Sequence, residues 1–158
     1  MFWHFLQPFF MWSGNTWAGQ AIRQSQYLFP IISVVHLGGL AVLLGAVLIL
    51  NLRIVGIVMS HQPLPTVAQD FGRWILASFS VMVISGWLML ASEASKCFQS
   101  EPFQVKMACL FAAMVIQFAV YQVTARSSEA RIWQRLAAML SLVLWFSVGL
   151  AGRAIGYL

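Results

Sequence analysis

Four long apolar segments, joined by short polar connections, limit what this chain of 158 residues can fold into. The segments lie at 27–50, 74–92, 107–124 and 136–151. Each is close to the length of about 20 mostly apolar residues that an α-helix needs to cross a bilayer. Charged residues make up 8% of the chain, whereas soluble domains carry about 25%. The sequence therefore predicts an all-α integral membrane protein, with no room for a separate soluble domain.

The first 22 residues differ from the rest in composition. Met1–Trp17 has no Lys or Arg, and Pro8 and Gly14 interrupt its apolar run. It is rich in Trp and Phe, which concentrate where a membrane meets water. We predict that 1–22 is a helical segment on the membrane surface, retained in the mature protein. Residues 23–158 then form the transmembrane domain, and its short connections predict an up-down four-helix bundle.

The formal net charge of +5 comes from basic residues near the ends of the apolar segments, where they contact lipid headgroups and set orientation. Nucleic acid is therefore not an expected partner. Five basic residues lie on the side of the first and third connections, against four on the side of the termini: Arg53, Arg73, Arg126, Arg131 and Arg135 against Arg23, Lys96, Lys106 and Arg153. Because cytoplasmic loops are enriched in Lys and Arg, we expect periplasmic termini.

His36 is the strongest candidate for a functional residue, because it lies within an uncharged stretch from Gln24 to Leu52. An ionisable side chain in hydrocarbon is costly and therefore indicates a function. Helical spacing places other polar and thioether side chains on single faces of the later segments. These are Met82, Met89, Met114, Gln117 and Tyr121. One interpretation is a common interior site with His36, whose imidazole and the thioethers suit haem iron or cuprous copper.

Three further interpretations of these residues stay open. His36 can be a neutral imidazole hydrogen-bonded to a neighbouring helix, or a proton-transfer group. Ser78 and Ser85 of the second segment and Gln117 of the third can form hydrogen bonds between helices, while the methionines fill gaps in the core.

Small residues mark the opposite face of the first segment. Gly38, Ala41 and Gly45 follow one another at intervals of three and four residues, a spacing that allows close approach of another helix. Because a single four-helix bundle buries one face of each helix most easily, this second face predicts a homo-oligomer or a partner membrane subunit.

Sequence motifs for catalysis are absent. The chain has no glycine-rich phosphate loop, no nucleophile elbow, no HExxH and no pair of carboxylates within the apolar segments. Cys97 and Cys109 form neither a CxxC pair nor a zinc-site spacing. An independent enzyme is therefore not the expected function.

The motifs along the chain resemble those of a family of small bacterial inner-membrane proteins of unknown function, DUF6644. They are Tyr27–Pro30, His36–Ala41, Asn51–Gly56, Ser85–Met89, Glu101–Met107, Ser141–Trp145 and Ala151–Tyr157. A looser resemblance is to the membrane domain of copper-resistance D proteins. The resemblance implies the four-helix fold and an inner-membrane location.

Two departures from the pattern of that family bear on the cofactor. Asn51 stands where the family has an aspartate, and Tyr121 and Gln122 occupy the stretch where it often has a second histidine. Two histidines on facing helices would suggest a haem b with two histidine ligands. Of these two histidines, this chain has only His36.

Three functions follow from the sequence. The first is a haem b-binding electron-transfer protein with His36 as an axial ligand. The second is a non-catalytic accessory or scaffold subunit of a membrane complex or homo-oligomer. The third is a copper or proton transport element that uses the methionines, which four continuous segments do not favour.

Overall fold

A computed structural model describes residues 6–99, 101–127 and 129–154 of the chain, and side chains up to residue 150 apart from that of Pro102. These ranges contain seven α-helices and no strand: α1 Gln7–Gly14, α2 Trp17–Gln24, α3 Leu28–Val55, α4 Leu64–Ser92, α5 Ala94–Gln99, α6 Glu101–Thr124 and α7 Ile132–Ala154. In four of them, a stretch is long and apolar enough to cross a membrane. The stretches are Leu28–Val55, Leu64–Ser92, Phe103–Thr124 and Ile132–Leu150.

Each predicted apolar segment corresponds to one of these long helices, but the helices extend beyond it. The largest difference is in α4, which begins at Leu64 rather than at residue 74. The added turns are polar on one side, yet Leu64, Val67 and Ala68 are buried in the same cluster as Leu50 of α3. Packing against α3 therefore continues the helix beyond the apolar run.

The N-terminal segment forms two short helices in its described part rather than one. Asn15 ends α1, and Thr16 caps α2 by accepting a hydrogen bond from the Gly19 backbone N–H at 3.3 Å. The second helix ends at Gln24 and packs against α4. The part of the predicted surface segment at 1–5 lies outside the described residues.

The long helices pack in the order α4, α3, α7, α6, with a smaller contact between α4 and α6. Helix α3 is central and contributes to both clusters of buried apolar side chains. One cluster comprises Leu50, Ile54, Leu64, Val67, Ala68, Val120 and Ala138, and the other comprises Leu43, Val47, Ala113 and Trp145. The short helix α1 packs against α5 and against α4.

The distribution of polarity is reversed relative to a water-soluble bundle. Large apolar side chains are exposed along every long helix, including Val34 at 69%, Leu76 at 69%, Phe111 at 72% and Leu150 at 71%. Polar side chains lie inside instead: Asn51, Ser78, Ser85, Ser92, Gln117, Thr124, Gln134 and Ser141 are buried. This is the pattern expected of helices surrounded by hydrocarbon, which solvates apolar groups and leaves polar groups to bond one another.

Candidate functional site

His36 of α3 is held by Ser85 of α4. The His36 Nδ1 and Ser85 Oγ atoms are 2.9 Å apart, and the Ser85 hydroxyl donates to the Val81 carbonyl at 2.6 Å. A hydroxyl has one proton, so with that proton on Val81 the Ser85 oxygen accepts from His36. The proton of the neutral imidazole is then on Nδ1, and Nε2 carries a free lone pair.

Two glycines make room for this contact. A Cβ at Gly86 would lie 3.2 Å from His36 Cε1, and a Cβ at Gly39 would lie 3.2 Å from Val81 Cγ1. Glycine at one position leaves space for the ring, and glycine at the other lets α3 and α4 approach closely. The pairing of Ser85 with Gly86 on one helix therefore positions the imidazole of the other.

The Nε2 atom of His36 has no described hydrogen-bond partner. The side chain is half-buried, and it makes no hydrogen bond with any described residue other than Ser85. The surrounding turns of α3 expose Ile31, Val34, Val35 and Leu37. The arrangement therefore leaves one nitrogen lone pair of the imidazole without a described partner.

The structure does not bring the predicted site residues together in one place. Met82 is next to the His36 contact, since its Sδ lies 3.6 Å from the position of a Gly39 Cβ. Met89 is half-buried on α4, four residues beyond Ser85. Met114 is 38% exposed on α6. Of these methionines, only Met82 has a described contact close to His36, and that contact is with Gly39, three residues along α3.

Gln117 and Tyr121 lie at a different depth along the helices. Gln117 bonds to Asn51, which follows His36 by 15 residues, about 22 Å along α3 at 1.5 Å per residue. Tyr121 packs on Gly72, whose Cβ would lie 2.5 Å from Tyr121 Cε2. Gly72 precedes Ser85 by 13 residues, about 20 Å along α4. Helical spacing predicted which face these residues occupy, but face alone does not fix depth.

Gln117 instead joins three helices in a buried cluster. Its Oε1 accepts a hydrogen bond from Asn51 Nδ2 of α3 at 3.1 Å and another from Ser141 Oγ of α7 at 2.7 Å. We refer to Asn51, Gln117 and Ser141 as the amide cluster. Sequence reasoning included interhelical bonding among the interpretations of Gln117 but missed Asn51, which lies one residue beyond the predicted end of the first segment.

Polar groups without a partner accompany the amide cluster. The side-chain atoms Asn51 Oδ1, Gln117 Nε2, Thr124 Oγ1, Gln134 Nε2 and Trp145 Nε1 are buried and make no hydrogen bond with the described residues. These five atoms without a partner lie on α3, α6 and α7.

A multi-ligand metal centre is not formed by the described residues, which contain no group of three or more His, Cys, Asp or Glu side chains able to hold an ion. Cys97 and Cys109 are free thiols. Burial raises the pKa of the Cys97 thiol, and the nearby Glu93 carboxylate raises it further. Since the thiolate is the metal-binding form, Cys97 is poorly suited to ligation at neutral pH.

The described fold and site thus define a small helical protein with four candidate membrane spans, a polar interior and a half-buried imidazole at the contact between two helices. The chain belongs to DUF6644, a family of unknown function whose model matches residues 9–158. This confirms the resemblance drawn from the sequence motifs; a link to copper-resistance D proteins is not shown. No match was found among the curated proteins or the solved structures.

Proposed function

We propose that this protein is a four-span protein of the bacterial inner membrane that binds haem b through His36 and serves electron transfer. The four helices cross as an up-down bundle, with periplasmic termini. The exposed apolar side chains and buried polar ones support insertion. The weak excess of basic residues on the side of the α3–α4 and α6–α7 connections, five against four, supports the orientation.

The single observation that carries the haem proposal is the Ser85 contact. It directs the Nδ1 proton of His36 inward and leaves Nε2 free. Histidines that ligate metals typically donate their other N–H to a neighbouring acceptor, which fixes the ring and raises the basicity of the ligand. A histidine that is only hydrogen-bonded to a neighbouring helix makes the same contact. The two roles are compatible, because the contact with Ser85 occupies Nδ1 and ligation uses Nε2.

Haem suits this site better than a free metal ion does. A haem iron is already held by its macrocycle and requires one or two axial ligands from the protein, so a lone imidazole suffices. Met82, beside the contact, supplies a neighbouring thioether. Copper is the alternative for the same imidazole and thioether pair.

We expect the protein, purified in detergent without added cofactor, to show a Soret band that His36→Ala abolishes. Ser85→Ala should retain the ligand but lower haem affinity about 10–100-fold, as loss of the group that orients a ligand does. Absorption spectra and haem extraction measure both effects, and elemental analysis measures copper.

Two matched variants control this experiment. His61→Ala removes an exposed histidine, and Ser80→Ala removes a hydroxyl that bonds only to the Leu76 carbonyl of its own helix among the described residues. Both should leave the spectrum unchanged. Wild-type protein with neither haem nor copper would contradict the proposal, as would a His36→Ala spectrum identical to that of the wild type.

A second candidate function is that of a non-catalytic scaffold subunit that associates with further copies of itself. The α3 face of Gly38, Ala41 and Gly45 favours it, because a Cβ at either glycine would meet no described atom within 4 Å. This face is open to another helix. A colourless, copper-free protein that is an oligomer in detergent would support this function over the first.

A further inference from the structure

A pocket of about 310 Å³ lies among α1, α2 and α5. Polar side chains on its wall are Gln7, Asn15, Arg23, Ser95 and Gln99. Pockets that hold small molecules begin at about 300 Å³. The volume therefore suits a compact polar group rather than a large ligand.

Arg23 gives the pocket its charge. Its Nη2 donates to the Gly14 carbonyl, which anchors the guanidinium, and its other N–H groups have no partner among the described residues. The described wall contains no carboxylate. The nearby Glu93 lies 4.0 Å from Lys96 and is paired with it. The pocket is therefore positively charged and has free donors suited to an anion.

The remaining wall side chains add hydrogen-bonding capacity. Those of Gln7, Asn15, Ser95 and Gln99 make no hydrogen bond with any described residue. Three amides and one hydroxyl thus surround a guanidinium whose planar N–H groups match the oxygens of a phosphate.

The floor of the pocket is apolar and its location is interfacial. Phe10 is buried in the wall and packs edge-on against Phe103, with ring centroids 6.0 Å apart. Around the pocket, Met11, Trp12 and Trp17 are exposed by 63%, 61% and 85%. Exposed Trp beside an apolar span is typical of the headgroup level of a bilayer.

We propose that this pocket binds the phosphate headgroup of an anionic phospholipid. Arg23 pairs with the phosphate oxygens, the amides bond the polar end of the headgroup, and Phe10 contacts the start of the acyl region. A free phosphate offers the same charge but no apolar part for Phe10. This inference rests on the proposed membrane insertion and is independent of haem.

Native mass spectrometry of the full chain, loaded with equal amounts of phosphatidylglycerol and phosphatidylcholine, tests the assignment. We expect about fivefold preferential retention of phosphatidylglycerol, as one basic residue near an anionic headgroup provides. Arg23→Gln should abolish the preference. Arg53→Gln is the matched control, because Arg53 also donates to a carbonyl nine residues away, that of Gln62, but lies at the end of α3.

Ser95→Trp is a second variant, which fills the pocket while keeping Arg23 and its anchor; it should also abolish the preference. An equal preference for phosphatidylglycerol in the Arg23→Gln and Arg53→Gln proteins would overturn the proposal. Displacement of the bound phosphatidylglycerol by excess inorganic phosphate would overturn it as well. Protein that cannot be recovered in lipid nanodiscs would refute membrane insertion, whereas recovered protein without preference refutes only the pocket.

Discussion

Gly19→Ala is expected to separate α2 from α4 and to destabilise the protein by about 1–3 kcal/mol, as overpacking of a close contact does. A Cβ at Gly19 would lie 2.5 Å from the Ala91 carbonyl oxygen and 3.0 Å from its carbonyl carbon. Both atoms belong to the backbone of α4, which cannot rotate away as a side chain can. The helices must therefore move apart, and thermal unfolding in detergent measures the loss.

Gly149→Ala is the matched control for this prediction. Gly149 also lies in a helix, but a Cβ there would have only an ordinary contact, with Leu44 Cδ1 at 3.8 Å. Alanine has the higher helix propensity, so this variant should be as stable as the wild type or slightly more so. If the Gly19→Ala protein unfolds at the same temperature as the Gly149→Ala protein, α2 is not packed against α4 in the way described.

The four long helices follow directly from the sequence, because bilayer thickness sets the length of an apolar segment that crosses it. Their ends do not follow from hydropathy. α4 begins ten residues before its apolar run, since Leu64 and Val67 pack on α3. Hydropathy measures compatibility with lipid, whereas a helix continues wherever its backbone bonds form and one face packs.

The candidate site, like the helices, could be predicted from the sequence only in part. An imidazole in an apolar segment was enough to single out His36, and its contact on α4 depends on Ser85 and Gly86, which are local in sequence. The partners predicted for it on α6 do not lie beside it, because helical periodicity indicates the face of a helix and not the position along its axis. Gln117 and Tyr121 share a face of α6, yet they pack against Asn51 and Gly72, far along the helix axes from His36 and Ser85.

The burial of Asn51 could not be predicted from the sequence alone. It lies just beyond the apolar run, where an asparagine is expected to reach water, but it is fully buried and bonded to Gln117. Its partner is 66 residues away. Only tertiary packing of α3 against α6 and α7 makes it an interior residue.

Gln117→Leu should destabilise the bundle by about 1–3 kcal/mol, the usual cost of leaving a buried polar group without its partner. The substitution removes the acceptor of two hydrogen bonds. Ser141 can redirect its hydroxyl to a carbonyl of its own helix, but the Asn51 amide has no described partner besides Gln117. Most of the cost therefore arises at Asn51, and unfolding in detergent measures it.

A double substitution separates the lost hydrogen bond from a change in packing. Replacing both partners of a buried hydrogen bond by apolar groups of similar shape can be nearly neutral. Asn51→Leu combined with Gln117→Leu should therefore recover part of the stability that Gln117→Leu loses, giving a non-additive cycle. Gln122→Leu, on the same helix and without a hydrogen bond to any described residue, should have little effect. If the stability losses of the single variants Asn51→Leu and Gln117→Leu simply add in the double variant, the two residues contribute through separate contacts, and the amide cluster does not hold α3 to α6.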